Sequence, residues 1–247
     1  MPTTDQAICI RVSDYSETSQ VVSLLTRAEG LVRLIAKGSK RPKSKSGGRV
    51  DLLAEGRCVF STGRKESLGV LMEFVETAGH GELRADLGRL HVGLCMLELC
   101  GALLAEGDPH PEVFDLLHGA LARLGAPEAS PRAVLAYFHY RLLRSAGLLG
   151  ELTACVSCGR APGTVGVYFS SGAGGLLCRD CEPAAEEKFA VPPAGLAALA
   201  ALAAAAAGRR PRLPEKQARP VLALLTYHTE YQLGRRLRTA RYVLRRP

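Results

Sequence analysis

The sequence predicts an α+β protein in which a five-stranded barrel precedes an all-helical domain carrying a four-cysteine zinc module. Three observations lead there. Over roughly the first 77 positions the apolar residues fall into short runs of strand type. From Leu83 the apolar period lengthens to about three and a half. Two Cys-x-x-Cys pairs, Cys155 with Cys158 and Cys178 with Cys181, then interrupt the helical pattern. The boundaries that follow are 1–78 for the barrel and 79–247 for the helical domain, with the zinc module at 152–184.

A chain of 247 residues with 47% hydrophobic and 23% charged side chains is of soluble globular type and buries a core without disulfide help. The N-terminus has neither the basic start nor the long apolar run of a signal peptide, so a cytoplasmic protein is expected. The most apolar window, 194–207, is 14 residues of mostly alanine. A membrane span needs about 20, so a soluble helix and no membrane association are expected.

The strands are expected at 7–12, 19–26, 31–36, 58–61 and 68–75, with the second and third flanking a turn at 27–30. Five short strands fit the oligonucleotide-binding (OB) type of barrel, although strand counting does not separate it from an SH3-like one. Residues 37–49 carry six basic side chains, Lys37, Lys40, Arg41, Lys43, Lys45 and Arg49, and no acidic one. Such a segment is either a solvated surface loop or a track for a phosphate backbone. Each phosphate neutralised on a single strand would add about 0.7 to the negative slope of log affinity against log salt. Tyr15 and Phe60 are the nearest aromatics and read as core or turn packing.

Charge is segregated along the chain. Residues 1–65 hold 12 basic and 6 acidic side chains, residues 66–130 hold 3 and 11, and residues 131–247 hold 17 and 7. Basic outer thirds around an acidic middle point to a polyanion, most often nucleic acid. Further arginines cluster at Arg209, Arg210 and Arg212, and at Arg235, Arg236, Arg238, Arg241, Arg245 and Arg246.

In the helical part, Leu83, Leu87, Leu90, Leu94, Leu97, Gly101 and Leu104 predict one face of a long helix stopped by Gly107, Asp108 and Pro109. A second helix presents Val113, Leu116, Leu117, Ala120, Leu121 and Leu124. A third opens with Ser130 as N-cap and Pro131 in its first turn. Past the cysteines, an alanine-rich helix is expected from Pro192 to Gly208 and a last one from about Pro220 to Leu237. Cys9, Cys58, Cys95, Cys100 and His139 read as core residues.

Between Cys158 and Cys178 lie 19 residues, the spacing at which two Cys-x-x-Cys turns close on one zinc ion, with a hairpin over 165–177 bringing the second turn back. Two disulfides or a redox dithiol are the alternatives. A shell of four thiolates leaves no position for water or substrate, which makes such a zinc structural. There is no phosphate-binding loop of Gly-x-x-x-x-Gly-Lys-Ser/Thr type, no His-Glu-x-x-His and no dinucleotide fingerprint around Gly172 to Gly175, so no enzymatic activity is expected.

The order of these features resembles the RecO family of bacterial recombination mediators over essentially the whole chain. The opening run 12–19, then Glu29-Gly30-Leu31, then 36–41, are similar to that family's first strands and basic loop. The four cysteines within a helical domain, and the ending 231–242, are similar as well. The resemblance implies binding of single- and double-stranded DNA, annealing of complementary strands, and work with a RecR-like clamp protein to load recombinase on DNA coated by single-strand-binding protein. It further implies DNA contacts by Lys37, Lys40, Arg41, Arg209 and Arg210, zinc on Cys155, Cys158, Cys178 and Cys181, and a place at the bacterial nucleoid. A zinc-containing transcription or RNA-binding regulator, or a nuclease, are the alternative functions.

Overall fold

A computed structural model describes residues 1–42, 44, 47–63, 68–150, 152–206 and 209–245. Lys43 and Lys45, the expected helix end at Gly208 and the tail residue Arg246 lie outside the described residues. The chain forms two compact units, Met1–Gly125 and Ala126–Pro247.

In the first unit, β1 (Thr3–Asp14), β2 (Gln20–Thr26), β3 (Gly30–Ala36), β4 (Glu55–Ser61) and β5 (Gly69–Ala78) close into a barrel in the order β1-β2-β3-β5-β4. Every pairing is antiparallel except β3 with β5. That order with a parallel closure is the OB arrangement, which settles the choice between barrel types. The interior follows the alternation of the strands through Ala7 and Cys9, Val22 and Leu24, Val32, Leu34 and Ala36, and Cys58 and Phe60, while on β5 a register shift against β4 turns both Leu71 and Phe74, three apart, inward. β1 pairs with β4 through its first half and with β2 through its second, and a register shift between Cys9 and Arg11 gives it the bend this requires. Gly30 turns β2 into β3 at φ +71, and a Cβ there would also lie 2.1 Å from the carbonyl oxygen of Asp108, so no other residue fits.

The expected long helix from Leu83 is broken. α1 (Gly81–Arg84) stops, and Asp86 caps a new helix, α2 (Leu87–Leu103), by accepting from the Arg89 N–H at 2.9 Å. The buried side of α2 shares only Leu97 with the leucine series: Leu87 is 67% exposed and Leu90 and Leu94 are half-buried, whereas Val92, Cys95, Met96, Leu99 and Cys100 are buried. Apolar residues occupy nearly every side of α2, so packing against the barrel chose the face, with Gly93 giving room to the buried Leu53. α3 (Pro111–Gly125) buries Val113, Leu117, Ala120, Leu121 and Leu124 as its period predicts.

The second unit opens with α4 (Pro131–Ser145), capped by Ser130 as expected. β6 (Val167–Ser170) and β7 (Gly175–Leu177) form the expected hairpin, and a third strand the sequence did not signal, β8 (Phe189–Val191), pairs with β6. α5 (Pro193–Ala204) and α6 (Glu215–Leu233) pack on one another, and α4 packs on α6. α6 begins five residues before the expected start and runs through Pro220, because the carbonyl of Pro214 already takes the N–H groups of Gln217 and Ala218. It ends at Gly234 in the left-handed conformation, short of Leu237. Arg132 ties down α7 (Ala240–Leu244) by donating to the carbonyls of Val243 and Arg245 at 2.7 and 2.5 Å. Among the described residues no helix is long and apolar enough to cross a membrane.

Candidate nucleic-acid interface and metal centre

The basic segment 37–49 leaves the barrel at the end of β3 and returns toward β4. Its two ends are held by one buried side chain that the sequence reading missed. The Gln20 amide oxygen accepts from the Ser39 hydroxyl at 3.0 Å and from the Val50 N–H at 3.1 Å, and its amide nitrogen donates to the Val50 carbonyl at 3.2 Å. A glutamine opening a mostly apolar strand was the available signal; it is fully buried, and such a group must find partners.

The loop also leans on the β1–β2 turn. The Gly38 N–H donates to the Ser19 hydroxyl, and the Lys40 N–H to the Thr18 carbonyl. The Lys40 ammonium reaches Asp14 at 2.7 Å and the Ser16 carbonyl at 3.1 Å, and it holds the Asp14 carboxyl below the usual carboxylate range. Lys40 is therefore half-buried and already paired, while Lys37 and Arg41 are exposed without an ion pair among the described residues. Arg49 is exposed and lies 3.8 Å from Asp51. Phe60 is in the core as expected. Tyr15 is not packed in either sense: it stands 63% exposed on the β1–β2 turn.

Arg209 and Arg210 belong to the other unit and are both exposed; the Arg210 guanidinium lies 5.5 Å from the centre of the Tyr137 ring. The tail arginines Arg235, Arg236, Arg238, Arg241 and Arg245 are exposed as well.

The four cysteines of the second unit converge, with their sulfurs all within 4.8 Å of one another. Cys155 opens a tight turn in which the Gly159 N–H donates to its carbonyl at 2.8 Å, and the Cys181 N–H closes the matching turn on Cys178 at 3.1 Å. The Cys158 and Cys178 sulfurs are 3.8 Å apart. A disulfide requires about 2.05 Å. A tetrahedron with metal–sulfur bonds of about 2.3 Å has edges of about 3.8 Å. Burial opposes ionisation of Cys155, but the backbone N–H groups of Cys178, Cys158 and Ser157 outweigh it and bring the thiol down to about 6. Backbone and guanidinium N–H groups of Arg160 likewise hold Cys158 below the usual thiol range. The donor set is compatible with a tetrahedral thiolate metal, zinc above all.

One carboxylate fastens this module to α6. Glu187 accepts from the Ser170 hydroxyl, from the backbone N–H groups of Ser171 and Gly172 at 3.3 and 3.1 Å, and from the Tyr227 hydroxyl. Burial raises the Glu187 carboxyl, and these donors more than reverse that, leaving it below its ordinary value.

Two family models match the chain in sequence order, meeting between residues 78 and 84 and not at the boundary between the two compact units. A family model described as the recombination protein O N terminal matches residues 1–78, and one described as the recombination protein O C terminal matches residues 84–241. The DNA repair protein RecO of Anaeromyxobacter dehalogenans (strain 2CP-C) is 36% identical over 244 residues, covering 96% of this chain and 93% of that protein. The protein of the same name from Myxococcus xanthus (strain DK1622) is 34% identical, covering 97% and 96%. That from Moorella thermoacetica is 30% identical, covering 96% and 89%. With both halves matched in order and relatives similar from end to end, the chain belongs to the RecO family.

Proposed function

We propose that this chain is a DNA-binding and strand-annealing recombination mediator of DNA repair, one that helps load recombinase on single-stranded DNA and performs no bond chemistry of its own. The observation that carries the reading is the basic segment 37–49 on an OB barrel, with both its ends pinned by Gln20. Lys37 and Arg41 offer unpaired charge to a phosphate backbone, Arg49 adds a third cation, and Lys40 both holds the loop against the β1–β2 turn and adds charge at its root. Lys43 and Lys45 add charge to the same stretch of sequence, and Arg209 and Arg210 supply a second basic site. Neutralised strands approach one another, and the duplex they form drives annealing, so weak and salt-sensitive contacts are what the task needs.

In this reading Cys155, Cys158, Cys178 and Cys181 hold one zinc ion, which supplies no reactive position and contributes folding energy to the second unit. The partners are single- and double-stranded DNA, a RecR-like clamp and single-strand-binding protein, and the place of work is the bacterial cytoplasm at the nucleoid. The relatives' name supports the repair role.

The test is to incubate complementary strands, one labelled, with the protein and without nucleotide or added metal. Accelerated annealing with intact strands is the expected result. Cleavage, or no annealing together with tight sequence-specific duplex binding, would overturn the proposal.

A further inference from the structure

The basic loop is not the only cationic feature of the barrel. In the register of β1, β2 and β3, Arg11 lies opposite Ser23, and Ser23 lies opposite Arg33. Their neighbours Val12, Val22, Val32 and Leu34 turn inward, so this row points away from the core. Both arginines are exposed, and among the described residues neither has a carboxylate within ion-pair distance. Two strand spacings separate them, about 10 Å across the sheet.

The next row toward the β1–β2 turn is Ser13, Val21 and Ile35. Val21 is buried and Ile35 half-buried, which gives the face an apolar floor. Beyond it, just past the end of β1, comes Tyr15, which is 63% exposed. The ring is not on a loose tip. The Tyr15 and Ser16 N–H groups both donate to the Ser19 carbonyl, and Lys40 grips the turn through Asp14, Ser16 and Thr18. An exposed aromatic on a braced turn, beside an unpaired arginine row and next to the basic loop, has the makings of a stacking platform. In OB barrels the face of the second and third strands and the loop between the first and second are where oligonucleotides lie. Glu17 is also exposed on this turn, so the contribution of Tyr15 is stacking and not charge.

Farther from the turn Ile8, Ile10, Leu25 and Leu31 are buried, so only the part of the face from the row of Arg11, Ser23 and Arg33 to the β1–β2 turn is open. We propose that this part of the outer face of β1, β2 and β3 belongs to the DNA track, with Arg11 and Arg33 on phosphates and Tyr15 stacked on an unpaired base. This rests on the DNA-binding reading above and adds residues to it. Stacking requires a free base face, so Tyr15 separates single strands from duplex, whereas the arginines serve both.

Affinity of the full-length protein for an oligo-dT strand, for the same length carrying abasic sites, and for a duplex, each measured over a salt series, tests this. Tyr15→Ala is expected to weaken binding to oligo-dT by about fivefold or more, with the salt slope, the abasic strand and the duplex unaffected; Tyr15→Phe should behave as wild type. Arg11→Ala with Arg33→Ala should flatten the single-strand slope by about 1.4. Circular dichroism confirms that each variant is folded. If the Tyr15 and arginine variants bind as wild type while Lys37→Ala with Arg41→Ala loses affinity, this face is not on the track and the DNA-binding reading stands. If the wild-type protein binds none of the three ligands, the DNA-binding reading itself fails and takes the face with it.

Discussion

The side chain of Gln20 and the backbone of Val50 hydrogen-bond in both directions, at 3.1 and 3.2 Å, and the same amide oxygen takes the Ser39 hydroxyl. One buried residue thus fixes where the basic loop leaves and re-enters the barrel. Gln20→Leu keeps the bulk but strands the Val50 N–H, the Val50 carbonyl and the Ser39 hydroxyl. The expected cost is about 2–4 kcal/mol of unfolding free energy, measured by urea denaturation. DNA affinity should fall as the loop loses its preorganisation, while the salt slope, which counts phosphates, stays close to that of wild type. A variant as stable as wild type would show that Gln20 is not the anchor.

The pairing of Lys40 with Asp14 separates the loop's cations into two kinds. Lys40→Glu with Arg41→Glu should weaken single-strand binding and flatten the salt slope by about 1.4, two contacts at about 0.7 each. Arg41→Glu alone should remove about half of that slope and leave the loop in position. Lys40→Glu alone should also loosen the loop, since it sets a second carboxylate against Asp14 and the Ser16 carbonyl. An unchanged slope in the double variant would take the loop out of the interface.

Short apolar runs bounded by turns placed all five strands, because each has one face in a closed core where Ala7, Val22, Val32, Cys58 and their neighbours must be apolar. The cysteine spacing gave the convergence of four sulfurs for a similar reason, as few geometries suit two Cys-x-x-Cys turns. Elsewhere the pattern was degenerate. α2 is apolar on almost all sides, so leucine spacing could not choose its buried face, and only the surface of the barrel does so. β8 is three residues long and gains its strand geometry from pairing with β6. Nor could sequence show that Lys40 answers Asp14, 26 positions away, or that Arg11 and Arg33 share a row through Ser23; the first follows from the loop folding onto the β1–β2 turn and the second from register.

Glu55 on β4 receives two histidines, His80 at 3.0 Å and His118 on α3 at 2.7 Å; Glu82 lies on the far nitrogen of His80, and Asp115, paired with Arg27, faces His118. The hydrogen bond to Glu55 raises His80 above the ordinary histidine value, although burial opposes this. Burial pushes Glu55 up, and the two histidines more than reverse it. The His80 contribution to stability is therefore fully present below about pH 6.5 and is lost as pH rises through its raised folded value. The Glu55 contribution is present above about pH 4.5 and is lost as pH falls through its depressed folded value. The network is complete between these limits. Wild type should lose more stability than His80→Gln between pH 6 and pH 8 in parallel urea titrations. Equal losses would show that the pair is not coupled to folding.

Tyr227 and Glu187 join α6 to the β6–β7 turn, and burial together with the neighbouring carboxylate raises the Tyr227 hydroxyl well above its ordinary range. Tyr227→Phe removes one hydrogen bond to a charged group and should cost about 1.5–3 kcal/mol. Glu187→Ala should cost more, because it also leaves the N–H groups of Ser171 and Gly172 without their acceptor. Thermal denaturation of the two variants checks that order, and a smaller loss for Glu187→Ala would refute it.

The cysteine centre can be tested apart from DNA. Elemental analysis of purified protein is expected to give one zinc per chain, and a strong chelator should lower the unfolding temperature of the second unit, because the bound metal contributes folding energy. Cys155→Ser removes the most buried of the four sulfurs, at 1% exposure, and should reproduce the effect of the chelator. Single-strand binding through the basic loop should survive both treatments, since Lys37, Arg41 and Gln20 belong to the other unit. A Cys155→Ser protein that is as stable as wild type, metal-free and unable to bind DNA would reverse that assignment and make the centre part of the interface.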